Sequence, residues 1–249
     1  MFFAFPILAF LPTFVYLAAA LLPAIILLRY VYLRDTVEKE PVGLLISLLF
    51  MGCLAALSSM VLEGIGESIL GVFVDPRSEL YVIALAFLVV AAVEEGTKLF
   101  FLKRRSWYHP AFNYRFDGVV YAVFVSLGFA ALENVQYIAL YGLSVALPRA
   151  LLAIPGHMSF AVFMGVYYGR AKHLENHGYT DASQRCLRRG YLIATFLHGF
   201  YDACAMTGSN IASLVFGVFV ILMFTRAFRT LRMESETDEP ITPPTFFGL

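Results

Sequence analysis

Long apolar runs broken by short polar clusters dominate the chain. They cover residues 5–28, 41–62, 79–102, 117–140, 147–169, 188–206 and 209–227. An α-helix rises 1.5 Å per residue, so each run is about long enough to cross a hydrocarbon core of roughly 30 Å. The short alternating segments of a transmembrane β-barrel are not visible. The pattern predicts an all-α, polytopic transmembrane bundle of about seven spans. The boundary between the last two spans is marked only by the turn-like AMTGSN at 205–210.

The apolar pattern is interrupted where interruption is costly. LVVAAVEEGTKLFFL, residues 88–102, places Glu94, Glu95 and Lys98 inside span 3. On insertion scales, each ionisable group at a helix centre costs about 2.5–3.5 kcal/mol. Span 4 carries Glu133 and Asn134, span 5 carries His157, and span 6 carries His198 and Asp202. Measured from the nearest basic flank, Glu94 and His198 lie about 13 Å deep, His157 and Asp202 about 20 Å, and Glu133 about 27 Å. Four consecutive helices therefore offer polar groups at depths that let them meet.

Charge in the loops orients the bundle. Arg29, Arg34 and Lys39 follow span 1, Lys103, Arg104, Arg105 and Arg115 follow span 3, and Arg170, Lys172, Arg185, Arg188 and Arg189 follow span 5. Arg226, Arg229 and Arg232 follow span 7, while the intervening loops hold only Arg77 and Arg149. The positive-inside rule then predicts the N-terminus outside and the C-terminus in the cytoplasm. Span 1 lacks the basic n-region of a signal peptide and is expected to be a retained helix.

Composition agrees with a multi-pass protein of the cell membrane embedded in a lipid bilayer. Of the 249 residues, 60% are hydrophobic and 14% charged, and the formal net charge is zero, so no nucleic-acid partner is indicated. The cysteines, Cys53, Cys186 and Cys204, have no metal-knuckle or disulfide spacing. One transmembrane domain is expected over 1–232, followed by an acidic tail over 233–249 predicted to be disordered. Nothing in the sequence specifies an oligomeric state.

The buried polar spacings have chemical meaning. Lys98 stands three and four residues after the two glutamates, within reach of both. His198 and Asp202, four apart, share one helix face, as two metal ligands on a helix do. Glu133, His157, His198 and Asp202 would make a four-coordinate nitrogen and oxygen set suited to zinc. One of Glu94 and Glu95 would then remain as general base. A different class of protein could use the same groups as a relay, namely a proton- or ion-coupled transporter. Its usual internal repeat is not visible.

EEGTK (94–98), FDGVVYAVFVSLGFAALENVQY (116–137), PGHMSF (155–160) and HGFYD (198–202) resemble the motifs of the PrsW family of intramembrane proteases. The family's E-E-x-x-K, F-x-x-x-E-N, single histidine and H-x-x-x-D fall on Glu94, Glu95 and Lys98, on Phe129, Glu133 and Asn134, on His157, and on His198 and Asp202. The resemblance covers roughly 80–205, and it is more distant from the CAAX prenyl endopeptidases, which carry His where this chain has Glu133. It implies an endopeptidase cutting a membrane-anchored protein, the best-known family role being the first, extracytoplasmic cut in an anti-sigma factor. Two mechanisms stay open. In one, zinc on the two histidines and two acids polarises the scissile carbonyl, and this donor set favours it. In the other, Glu94 or Glu95 with Glu133 activates water directly, and His198 with Asp202 forms an oxyanion hole.

Overall fold

The computed structural model describes residues 4–241. Among these the regular structure is all helix, joined by short connections, with no strand beyond one isolated bridge. We number the continuous helices α1 (Ala4–Arg34), α2 (Val42–Phe73), α3 (Glu79–Ser106), α4 (Asp117–Tyr141), α5 (Leu143–Asn176), α6 (Thr180–Thr207) and α7 (Asn210–Glu236). Six of the seven are long and apolar enough to cross a membrane. The exception, α6, has the length, but it carries His198 and Asp202 in its second half and arginines in its first. Its polar groups are taken up by neighbouring helices rather than by lipid, which is why it sits in the bundle all the same.

α4 is the central post. Within its apolar window 78% of residues are buried, against 17% for α1 and for α7. It packs against α1, α2 and α5, and α5 in turn packs most closely on α6. The crossing of α4 and α5 depends on glycine: a Cβ at Gly118 would stand 2.5 Å from the backbone nitrogen of Gly169. Small residues let helix backbones approach in lipid, where dispersion contacts replace the hydrophobic drive. Large apolar side chains such as Phe14, Phe50, Leu88 and Ile221 point outward instead, as a lipid-facing surface requires.

Two expectations are corrected here. The loop predicted after span 2 is largely helix, because α2 runs on to Phe73 and carries Glu63 and Glu67 with it. Falling hydropathy ended the predicted span, but it does not end a hydrogen-bonded helix. The tail expected to be disordered from residue 233 is ordered as far as 241. α7 continues to Glu236, and the following residues dock on the connection before α4. Asp238 accepts the backbone N–H of Phe116 at 2.8 Å, Glu239 pairs with Arg115 at 2.6 Å, and Ile241 is fully buried. The acidic side chains that suggested disorder find an arginine and a helix N-terminus. Residues 242–249 lie outside the described part.

Candidate active site

α3 and α5 each change helical pitch just before their functional residues. Residues Leu85–Ala91 of α3 form a π-helical stretch ahead of Glu94, and Arg149–Ala153 of α5 form another ahead of His157. Such wide turns recur at functional sites because they re-aim the side chains that follow. Here both helices turn polar groups toward α6 and the second half of α4.

At the centre stands Lys98, only 2% exposed. Its ammonium donates to Glu94 Oε2 at 3.0 Å, to Glu95 Oε1 at 2.8 Å and to His157 Nδ1 at 3.1 Å. It also lies 4.0 Å from the centre of the Phe129 ring, a cation–π contact that gives that phenylalanine a role. The buried ammonium thus has three acceptors and an aromatic face, which offsets its removal from water.

The two glutamates, adjacent in sequence, face different ways. Glu95 is fully buried; besides Lys98 it meets His198 Nδ1 at 3.0 Å. Glu94 lies 3.9 Å from His198 Nε2 and lines an open cavity of about 550 Å³. Glu133, Arg149, His157, His198 and Asp202 share that wall, and Glu95 and Lys98 stand behind it. The cavity occupies the half of the bundle opposite the basic loops, since its lining comes from the ends of α2, α4 and α6 and the starts of α5 and α7.

Both histidines of the cluster have their two ring nitrogens engaged. His157 meets Lys98 through Nδ1 and Glu133 Oε2 through Nε2, at 2.9 Å. His198 meets Glu95 through Nδ1 and Asp202 Oδ2 through Nε2, at 3.3 Å. Phe160 stacks on the His198 ring with centroids 4.7 Å apart and fixes its plane.

The structure therefore brings Glu94, Glu95, Lys98, Glu133, His157, His198 and Asp202 into one cluster. The three residues that offer ligand atoms within 4.8 Å of one another are Glu94, His157 and His198. Glu133, expected as a ligand, is a hydrogen-bond partner of His157, and Asp202, likewise expected, lies 3.3 Å from His198 Nε2 as its ion-pair partner. The donor types suit zinc, but the arrangement as it stands does not. No ring nitrogen is free, and the ammonium of Lys98 is already bonded to Glu94 and His157.

Two residues were missed by pattern reading. Arg149, placed in a loop, reaches the Glu133 carboxylate at 2.9 Å. Its signal was being the only basic residue near the junction of spans 4 and 5, where the span drawn over 147–169 already takes it in. Glu63, also placed in a loop, lines the cavity from α2.

The profile of the family described as PrsW family intramembrane metalloprotease matches residues 40–228. Protease PrsW of Geobacillus kaustophilus is 31% identical over 92% of this chain and 96% of its own. Protease PrsW of Halalkalibacterium halodurans is 31% identical over 89% and 98%, and that of Bacillus subtilis 32% over 79% and 85%. No solved structure matches.

Proposed function

This chain belongs to the PrsW family of intramembrane proteases, and from that premise we propose that Glu94 is the base that activates water for peptide hydrolysis. One observation carries this assignment: of the adjacent glutamates, only Glu94 faces the cavity, while Glu95 is held behind it by Lys98 and His198. Glu94 takes a proton from a water molecule, and the hydroxyl adds to the carbon of the scissile carbonyl. Negative charge then develops on the carbonyl oxygen. His198 Nε2, 3.3 Å from Asp202 on the cavity wall, meets it by exchanging Asp202 for the oxyanion as its acceptor. Glu94 returns its proton to the amide nitrogen as the C–N bond breaks. Lys98 and Glu95 hold Glu94 and His198 at fixed separation throughout.

The substrate is a membrane-anchored protein whose scissile segment reaches the cavity half of the bundle. An anti-sigma factor cut on its extracytoplasmic side is the substrate class that the family motifs suggest. Placement of the cavity away from the basic loops supports that side. An ion-coupled transporter is disfavoured, since the relatives are proteases.

Zinc is the second reading, favoured by the family's description and by the proximity of Glu94, His157 and His198. A bound ion would supply Lewis-acid polarisation, but it would have to displace Lys98 or Glu133 from His157. The test is cleavage of a single-span substrate in detergent with and without a strong chelator, alongside elemental mass spectrometry. The expected result is chelator-resistant cleavage that is lost in Glu94→Gln. About one zinc per chain, absent in His198→Ala, together with chelator-abolished activity would establish the zinc reading instead.

A further inference from the structure

Glu133 holds the outer nitrogen of His157, and what holds Glu133 is Arg149. Arg149 Nη2 donates to Glu133 Oε2 at 2.9 Å, and its Nε donates to Asn134 Oδ1 at 2.6 Å. Its guanidinium lies 3.8 Å from the centre of the Tyr137 ring, so one helical turn of α4 grips it on three sides. Asn134 is fully buried, and its amide nitrogen donates to the carbonyl of Ala20 in α1 at 2.9 Å. That bond turns the amide oxygen of Asn134 toward Arg149.

Hydrogen-bond chemistry gives this chain a direction. An ammonium and a guanidinium can only donate. Lys98 donates to His157 Nδ1, so that nitrogen carries the lone pair and Nε2 carries the proton. Nε2–H then donates to Glu133 Oε2, the oxygen that Arg149 also grips. The tautomer of His157 is set by obligate donors at both ends, Lys98 from behind the cavity wall and Arg149 from within it. Without Arg149 the carboxylate would keep one neutral donor and could rotate away, and Asn134 Oδ1 would lose its partner.

We propose that Arg149 is a positioning residue of the hydrolytic site. It locks Glu133 and, through Glu133, the His157 ring, and the buried asparagine beside Glu133 serves to orient Arg149. The assignment rests on Glu133 and His157 belonging to the hydrolytic site, and it is independent of which group activates water.

The test is steady-state cleavage of a single-span substrate by Arg149→Ala, Arg149→Lys, Glu133→Gln and the Arg149→Ala/Glu133→Gln double variant, with melting temperatures. Arg149→Ala is expected to lower kcat on the order of 10²-fold, the scale of a displaced catalytic group, with KM nearly unchanged. Added guanidinium should restore much of that loss, and methylammonium, equal in charge but unable to grip both partners, should not. The double variant should be no worse than Glu133→Gln alone. If Arg149→Ala does not fold, Arg149→Lys keeps the charge and is expected to remain impaired in kcat. Wild-type kcat in either variant, a loss confined to KM, or losses that multiply in the double variant would overturn the proposal. Retained activity in Glu94→Gln would overturn the base assignment alone and leave this cycle readable.

Discussion

Two groups of acids inside the bundle sit at different levels, and they are stabilised in opposite ways. Around the cavity, Glu94, Glu95, Glu133 and Asp202 meet Lys98, Arg149 and two histidines. At the basic-loop end, Asp35, Glu40 and Asp117 are each almost fully buried, and Glu40 and Asp117 are held by neutral donors. Tyr121 donates its hydroxyl to Glu40 at 2.5 Å, and Asp117 accepts the backbone N–H groups of Asn113 and Tyr114. Lys39 spends its hydrogen bonds on main-chain oxygens of Tyr32 and Asp35. Burial pushes the Glu40 carboxyl up to about 7, outweighing the Tyr121 hydrogen bond, and likewise lifts Asp35 to about 6 against the pull of Lys39. Burial of a carboxylate is therefore not by itself a sign of function. Cationic partners and an open cavity distinguish the upper cluster, and closure distinguishes the lower one.

The sharpest break of this comparison is a pair of isosteric changes. Glu94→Gln is expected to lower kcat by about 10³-fold or more, since the proton acceptor is gone, while Glu40→Gln leaves kcat within about threefold. Cleavage assays on folded, detergent-solubilised protein decide it. A large loss in Glu40→Gln would erase the distinction.

Lys98→Met comes next. It leaves two buried carboxylates without their shared cation, and loss of one partner of a buried pair costs about 3–5 kcal/mol. A large fall in melting temperature, together with loss of cleavage, is expected. Retained stability would mean that the glutamates do not need the lysine.

The lower cluster has its own signature in pH. Because Glu40 binds its proton more tightly in the folded state than at its ordinary value of 4.5, folding takes up protons there. Stability from this group is present below pH 4.5 and declines as pH rises toward about 7. Glu40→Gln should flatten that part of the melting-temperature profile. An unchanged slope would assign it elsewhere.

The smallest effect is expected at the docked tail. Asp238→Ala removes the side chain that accepts the Phe116 N–H at the start of α4, and lost caps cost about 0.5–2 kcal/mol. Cleavage at a temperature well below melting should be unaffected.

Much of the bundle was legible because bilayer thickness makes hydropathy a direct readout of span. The polar residues of spans 3 to 6 were legible for the same reason, since a buried ion in lipid stands out against its neighbours. Arg149 and Glu63 were not, because each lies at the end of an apolar run, where the same composition describes a loop or a helix end. Which of the adjacent glutamates faces the cavity was also invisible, since one residue of offset on a helix is a rotation and carries no compositional trace.

Sequence alone thus determined that this chain is a membrane bundle and that its acids and histidines had to find one another. The cost of leaving them in hydrocarbon admits few other arrangements. The pairing itself was decided only by tertiary structure. Two π-helical turns and the glycine-tight crossing of α4 and α5 set the rotations that place Lys98 between Glu94, Glu95 and His157. Those rotations depend on contacts between residues far apart in the chain, which a linear pattern does not encode.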